Sequence, residues 1–404
     1  MSANKDFVVV TVSGRDRPGI TAAFSKILDK HQVKIADIDQ AALQDFLALS
    51  FLFDLSGEDS RRDTVLKDLL LEAHHLGMSL DFQLLSENEL RRLRDKDLIV
   101  ITFFGNTRAL TDITAVIARE NVNIIKIANL GGRTAEGPRR EAECIELLVD
   151  AGGNGVVPRL KEGLIGVSHD LGVDLAVQRL DAYRKGKRIV FFDMDMTLVD
   201  MEVIDEMAGA AGVREEVSRV TQKAMRGDID FEESLRQRVA LLKGLDRDAI
   251  ERIRNGLRLS EGAEVLVATL KRLSFVLGVV SGGFHIFADH LVEQLGLDFA
   301  YANRLEFKDD KLTGRVTGTV VDDAEKAKIV NRVSAERGIL LDQTVAIGDG
   351  ANDRLMLGQA GLGIAYNAGQ GLAQSAGTTL AHKKLKNILY ILGITEDDIQ
   401  DSMT

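Results

Sequence analysis

The sequence predicts an α/β protein in which two copies of a βαββαβ unit precede a doubly wound parallel sheet bearing a helical cap. Three observations carry that expectation. Phe7 to Gly14 (FVVVTVSG) and Leu98 to Gly105 (LIVITFFG) are similar β-rich runs ending in glycine, 91 positions apart. Between Arg188 and about Gly393, four short apolar runs alternate with helical stretches, and each leads into a polar or glycine-rich turn. The interval between the first two of those runs, Val199 to Leu273, is about 75 residues of helix-forming sequence, too long for a simple crossover.

Composition bounds the class. At roughly 100 to 200 residues per domain, a chain of 404 residues holds about two to four of them. Hydrophobic residues make up 45% and charged residues 28%, the balance of a soluble globular protein. The 51 Lys and Arg against 62 Asp and Glu give a net charge of −11, which repels polyanions and sets aside nucleic-acid and membrane-surface partners. The single cysteine, Cys144, can form neither an internal disulfide nor a Cys-based zinc site, and its neighbours Ile145, Leu147 and Leu148 mark a buried strand. The N-terminus lacks the apolar core of a signal peptide, and no apolar run approaches the ~20 residues that span a bilayer. A cytoplasmic location is expected.

Each copy of the repeat runs through the same elements. After the opening strand comes a helix, aligned through Ile27-Leu28 and Val116-Ile117 at a displacement of 89, so the second copy's loop is two residues shorter. Then follow a strand (Val33 to Ala42; Val122 to Leu130), another strand (Phe46 to Leu55; Cys144 to Asp150), a helix (Arg61 to Leu76; Val156 to Leu171) and a last strand (Met78 to Leu85; Val173 to Arg179). This is the ferredoxin-like order. The polar stretch Asp181 to Lys187 is the expected boundary, giving domains over 1–90, 91–180 and 181–404. The insertion at about 199–273 is expected to sit over the site as a cap. In the third domain, Ile189 to Phe192, Phe275 to Val280, Thr344 to Ile347 and Leu362 to Ala365 read as parallel strands with the site at their carboxyl ends. The acidic tail from Glu396 to Thr404 reads as a solvated terminus.

Four constellations can carry chemistry. The first strand ends in Asp193-Met-Asp195-Met-Thr197, where two ionised carboxylates would repel unless a cation or a shared proton intervened; Mg²⁺ supplies such a charge. Thr344 to Ile347 runs into Gly348-Asp349-Gly350-Ala351-Asn352-Asp353, a tight turn that sets three oxygen-bearing side chains at a helix start. It is not a G-x-G-x-x-G dinucleotide fingerprint, because Asp353 stands at the last glycine position and would repel a pyrophosphate. Oxygen-only ligands favour Mg²⁺ over zinc, and none of the seven His form a pair at i, i+4 spacing. Ser281-Gly282-Gly283 offers a hydroxyl and backbone N–H groups to phosphate oxygens, and a plain glycine turn fits the same residues. Lys326, in Asp322-Asp-Ala-Glu-Lys326-Ala-Lys328, reads in isolation as part of a solvated helix face.

Taken in order, these four pieces resemble the motifs of the haloacid dehalogenase-like phosphohydrolases. Within that superfamily the chain is similar to the phosphoserine-hydrolysing branch, on Glu202 seven residues after Asp195, the stretch Phe231 to Lys243 (FEESLRQRVALLK) and the form Gly348-Asp-Gly-Ala-Asn-Asp353. The resemblance implies Asp193 as nucleophile and Asp195 as general acid and base. It implies Ser281, Gly282 and Lys326 on the phosphoryl oxygens, with Mg²⁺ held by Asp193, the backbone carbonyl of Asp195, and Asp349. Asn352, Asp353 and Thr197 would support metal and phosphate. Glu202 would pair with a substrate ammonium and Arg238 with its carboxylate, while Met225 and Phe231 close the apolar side, so the implied substrate is O-phospho-L-serine. A phosphotransferase passing the phosphoryl group to an alcohol such as homoserine is the competing expectation. The two repeats resemble ACT domains, with Gly14-Arg-Asp16-Arg-Pro18-Gly19 as the implied effector loop of the first copy; the second reads Gly105-Asn-Thr-Arg-Ala-Leu and lacks Pro-Gly. L-serine as effector and a homodimer as assembly follow from the same resemblance.

Overall fold

The computed structural model describes residues 7–55, 59–94, 96–131, 144–152, 155–367, 378–380 and 384–403. The chain divides into two compact units, one ending at Lys96 and one beginning at Asp97.

In the first unit, β1 (Phe7–Arg15), β2 (Lys34–Leu43), β3 (Phe46–Asp54) and β4 (Ser79–Leu85) form an antiparallel sheet of order β2-β3-β1-β4. Strict alternation sends Val8, Val10 and Val12 of β1 and Leu47, Leu49, Phe51 and Phe53 of β3 to one face. Ile20, Phe24 and Leu28 of helix Ile20–Lys30 and Val65, Leu66, Leu69 and Ala73 of helix Asp59–His75 pack against them. Gly19 starts the first helix at φ 99, a left-handed conformation that explains a glycine there.

The second unit opens with the second copy: β5 (Leu98–Phe104), β6 (Asn123–Asn129), β7 (Cys144–Asp150) and β8 (Leu175–Arg179), in the matching order β6-β7-β5-β8. The repeat extends to irregularities, since the register shifts between Ile35 and Asp37 in β2 and again between Ile124 and Lys126 in β6, 89 positions on. Cys144 is buried, as its neighbours suggested, and burial pushes its thiol far up, with Glu146 adding to the effect.

The expected parallel sheet forms the centre of a larger one. Strands β9 (Ile189–Phe192), β10 (Val276–Phe284), β11 (Phe299–Lys308), β13 (Thr344–Gly348), β14 (Leu362–Tyr366) and β15 (Thr378–Leu380) run parallel in the order β11-β10-β9-β13-β14-β15. The chain enters at β9, adds strands on one side, then crosses to the other, so the switch point lies beside β9. A hairpin not foreseen in the sequence adds β12 (Lys311–Thr317) antiparallel to β11. At the opposite end β15 pairs antiparallel with β8, Thr378 against Ala176 and Thr379 against Leu175, so the second copy and the parallel strands share one sheet of eleven.

The expected boundary at Asp181 to Lys187 therefore falls inside a compact unit. Its residues are fastened: the Arg184 guanidinium, 3% exposed, pairs with Glu146, and Lys187 Nζ donates to the Asp342 carbonyl at 2.5 Å. Leu130, Cys144 and Ala176 of the second copy lie in one hydrophobic cluster with Tyr366, Leu380, Ile388, Leu389 and Ile399. The acidic tail is a correction to the sequence reading. It folds as helix Glu396–Met403, with Ile399 1% exposed, Glu396 ion-paired to Lys386 at 2.8 Å and the Ser402 hydroxyl donating to Thr269 Oγ1 at 3.2 Å. One apolar residue per turn is enough to dock such a helix when a buried groove awaits it, whatever its net charge.

The insertion contains helices Val203–Ala211, Arg214–Met225, Phe231–Leu241 and Arg247–Asn255. Helix Ala263–Arg272 follows and packs beside β10 and the tail. The unforeseen hairpin supports the inserted helices: Gly244 and Leu245 exchange backbone hydrogen bonds with Leu312 at 2.8 and 3.0 Å. Among the described residues no helix is long and apolar enough to cross a membrane.

Candidate active site

Three strand ends meet at the switch point. Asp193 follows β9 directly, and its backbone N–H bonds the Ile347 carbonyl at 2.8 Å, fixing it beside the end of β13. The chain then turns back through Met196 at φ 54, with the Thr197 and Val199 N–H groups donating to the Met194 carbonyl at 3.3 and 3.0 Å. That turn places Asp195 at the start of helix Val203–Ala211, where its Oδ1 accepts from the Val203 N–H at 3.2 Å. Thr197 is fully buried, and among the described residues its hydroxyl has no hydrogen-bond partner.

Lys326 is not a solvated lysine. Asp322 caps helix Asp323–Glu336, accepting from the Glu325 N–H at 2.7 Å, and Lys326 one turn on points inward with no exposure. Its Nζ donates to Asp193 Oδ1 and Asp353 Oδ1, both at 2.7 Å. The other oxygen of Asp353 accepts from the Gly350 N–H at 3.1 Å. Burial alone would lower the Lys326 pKa, but the two carboxylates outweigh it and hold the ammonium charged.

The carboxylates carry the opposite strain. Burial first, then Asp353, pushes Asp193 up to about 7 despite Lys326. Asp349 rises to about 8 through burial and the charges of Asp193 and Asp353. Asp195 is held well above the usual carboxylate range by burial and by Glu202 and Asp193. One oxygen from each of Asp193, Asp349 and Asp353 lies within 4.8 Å of the others. This donor set fits a hard divalent cation such as Mg²⁺: it is all oxygen, crowded with negative charge, and among the described residues the Asp349 carboxylate makes no hydrogen bond. Asp353 is already shared between Lys326 and Gly350, which leaves Asp193 and Asp349 as the available ligands.

Ser281, Gly282 and Gly283 do not form a turn after β10 but a break within it. The pairing with β11 jumps from Val280 opposite Tyr301 to Phe284 opposite Asn303, so the three residues arch out of register. Gly283 donates its N–H to Ser281 Oγ at 2.9 Å. A Cβ on Gly283 would lie 2.8 Å from Asp195 Oδ2, and one on Gly282 would lie 2.8 Å from the Phe231 ring. Both glycines are therefore set by close approach, and the second contact brings Phe231 of the inserted helices against the arch.

Glu202 and Arg238 lie close enough to influence each other. Glu202 is open to solvent on one side, yet surrounding protein and Asp205 raise its carboxyl, with Arg238 opposing. Burial lowers Arg238, against the pull of Glu202, Asp205 and Asp195. Met225 ends a helix whose buried contact is Val217, and it is itself 83% exposed. Asn352 is half-buried beside Asp353. Two residues near the site went unnoticed in the sequence, Asp205 near the Glu202–Arg238 pair and Asn303 behind the arch; the latter lies in the mixed strand Phe299–Lys308, beside Arg304, where a polar residue gives no signal.

A cavity of about 560 Å³ in the first unit is lined by Asp16, Arg17, Pro18, Gly19, Ile20, Thr21, Ala22, Gln40 and Leu47. Gly14 is not among these residues; it sits in β1 paired with Leu47, its Cβ position filled by Met78 at 3.3 Å.

Comparison with known proteins fits this arrangement. Residues 190–358 match the haloacid dehalogenase-like hydrolase family and residues 6–83 the ACT domain. The phosphoserine phosphatase of Streptomyces coelicolor is 40% identical over 403 residues, covering 98% of this chain and 94% of that protein. The phosphoserine phosphatase of Mycobacterium tuberculosis is 38% identical over 396 residues, covering 97% and 94%. A crystal structure of a probable phosphoserine phosphatase from Vibrio cholerae, 33% identical, superposes with a TM-score of 0.57 over 75% of this chain and 88% of that one. With such identity spanning nearly the whole of both chains, and the acidic, hydroxyl and basic groups converging at one switch point, this chain belongs to the phosphoserine phosphatase family of the haloacid dehalogenase-like hydrolases and carries an N-terminal ACT domain.

Proposed function

We propose that the chain hydrolyses O-phospho-L-serine to L-serine and phosphate, the closing step of serine synthesis. The observation that carries this reading is the buried Lys326 bridging Asp193 and Asp353 beside Asp349, in a chain 40% identical to a phosphoserine phosphatase throughout. In this reading the Asp193 carboxylate attacks phosphorus and the serine oxygen departs, giving an aspartyl phosphate that water then hydrolyses. Asp195, whose raised pKa keeps a proton available, donates it to the departing oxygen and later takes one from the attacking water. Lys326 and the Ser281 hydroxyl hold phosphoryl oxygens, with the arch at Gly282, while Asn352 and Asp353 steady the site from the adjoining turn. Mg²⁺ on Asp193, Asp349 and the Asp195 carbonyl would offset the repulsion between Asp193 and the incoming dianion.

Glu202 and Arg238 present opposite charges to the ammonium and carboxylate of the substrate, and Phe231 covers its apolar side. L-serine as a ligand of the cavity at Asp16 and Gly19 belongs to the same reading, supported by the volume and polar rim of that cavity. So does the division into 1–90, 91–180 and 181–404, with the residues about 199–273 as a cap. A homodimer is supported by β2, all of whose residues are exposed along an edge of its sheet, and a cytoplasmic setting by the lone buried thiol.

Phosphate release from L-phosphoserine with and without Mg²⁺, beside O-phosphoethanolamine, tests the proposal. Metal-dependent release from phosphoserine with strong preference over the amine that lacks a carboxylate is the expected result. Equal rates on both would withdraw the substrate, and a new phosphoester formed from an added alcohol such as homoserine would replace hydrolysis with transfer.

A further inference from the structure

Asn303 stands in β11, fully buried, in a strand whose one other buried residue is Ala302. Its side chain spends both of its polar groups on backbone. The amide Nδ2 donates to the Gly282 carbonyl at 2.8 Å, and Oδ1 accepts from the Val321 N–H at 2.9 Å. These two backbone groups belong to the two elements that reach the phosphate position. The Gly282 carbonyl is one end of the peptide plane whose other end, the Gly283 N–H, bonds Ser281 Oγ at 2.9 Å. Because that hydroxyl accepts from Gly283, its own proton is left to donate outward. Val321 immediately precedes Asp322, the cap of the helix that presents Lys326. A further sign of contact is that a Cβ on Gly282 would lie 3.6 Å from the Val321 carbonyl oxygen.

We propose that Asn303 is a positioning residue that locks the Ser281–Gly283 arch to the base of the Lys326 helix, so that hydroxyl and ammonium address one phosphoryl group in a fixed relation. The inference rests on the reading of those two groups as phosphate ligands. Asn303 touches no substrate; it acts through Gly282 and Val321. An arch lifted out of its ladder has lost the strand hydrogen bonds that would otherwise hold it, so a buried side chain must replace them.

The test is the full chain with Asn303→Asp and Asn303→Leu, assayed for phosphoserine hydrolysis relative to wild type at each pH. An ionised Asp accepts from Val321 but cannot donate to the Gly282 carbonyl, whereas the protonated acid reproduces both bonds. Loss of one buried hydrogen bond here is expected to lower kcat/KM roughly 10- to 100-fold. Asn303→Asp should show that loss at high pH and recover toward wild type as pH falls, through a single added proton, while Asn303→Leu stays impaired throughout. Unreduced rates in Asn303→Leu, or a loss in Asn303→Asp that is equal at every pH, would overturn the proposal and leave Asn303 a packing residue. Wild-type turnover of phosphoserine in the same assay keeps the parent reading standing whichever way the variants behave. If the variants do not fold, amide exchange on the wild-type chain decides: inorganic phosphate with Mg²⁺ should slow exchange at 281–284 and at 320–323 together, and slowing confined to one of them refutes the lock.

Discussion

The Lys326 ammonium lies 2.7 Å from Asp193, and neither side chain is more than 5% exposed. The same ammonium reaches Asp353 at 2.7 Å, so one buried cation serves two carboxylates and the third, Asp349, is left over. The net negative charge of this cluster is what a divalent cation would relieve, and it makes the site costly to the fold when the cation is absent.

Lys326→Met should lower kcat roughly 10²- to 10³-fold, as loss of a donor to a transition-state oxygen does. It should also destabilise the metal-free protein by about 3–5 kcal/mol, because Asp193 and Asp353 lose their counter-charge in a buried site. Protonation can relieve that loss, so the drop in Tm should be smaller at pH 5.5 than at pH 8. Melting curves of both proteins at the two pH values check this, and an equal drop at both would show that the pair is not electrostatically strained.

Metal and pH should act on stability together. In the metal-free protein Asp193 titrates near 7 and Asp349 near 8, both above the ordinary 3.8. Below about pH 4 both folded and unfolded chains hold these protons; as pH rises toward 8 the unfolded chain has released them while the folded one has not. Stability from this source is therefore greatest in acid and falls through that window. A cation requires the same carboxylates ionised, so its binding releases protons and strengthens with pH. Added Mg²⁺ should raise Tm more at pH 8 than at pH 5.5, and a pH-independent shift would place the ion elsewhere.

The parts of this site that the sequence displayed are those whose chemistry is local. Asp193, Asp195 and the run Gly348 to Asp353 sit at strand ends, where a break in apolar periodicity is visible in one dimension. Lys326 was legible only through its order relative to the other motifs, because a lysine on an amphipathic helix looks solvated until the fold buries it. Asn303 and the β8–β15 pairing depend on contacts between residues 18 and about 200 positions apart, for which a single chain carries no periodic signal. Met225 shows a related limit: a helix pattern does not say which way its last turn faces, and that turn is exposed.

Substrate choice should reside in the Glu202–Arg238 pair. A site built to bind a carboxylate rejects an analogue that lacks one, because the guanidinium is left desolvated and unpaired. Arg238 is already lowered by burial, so the penalty is in place before substrate arrives. Arg238→Met should reduce kcat/KM for phosphoserine by about 10²-fold or more while changing O-phosphoethanolamine turnover little, which collapses the ratio between them. A ratio that survives the substitution would move carboxylate recognition to another residue.

Regulation by the first unit can be separated from product inhibition by truncation, and the sheet dictates where to cut. A chain starting at Arg184 would discard β8, unpair the edge of β15 and strip Leu130, Cys144 and Ala176 from the cluster that contains Tyr366, Leu380 and Ile399. It would also remove Glu146 from the buried Arg184. Leaving that guanidinium without its partner, in a core missing several side chains, should destabilise by more than the roughly 5–15 kcal/mol that holds a domain together. A chain starting at Asp97 loses none of these contacts, since it begins where the second compact unit begins. It should keep metal-dependent phosphatase activity within about twofold of the full chain, while the one starting at Arg184 should be insoluble or inactive. If L-serine inhibits the full chain but not the chain from Asp97, the effector site lies in the first unit, and Asp16→Ala in the full chain should weaken the response. Equal inhibition of both would assign serine to the catalytic pocket as product.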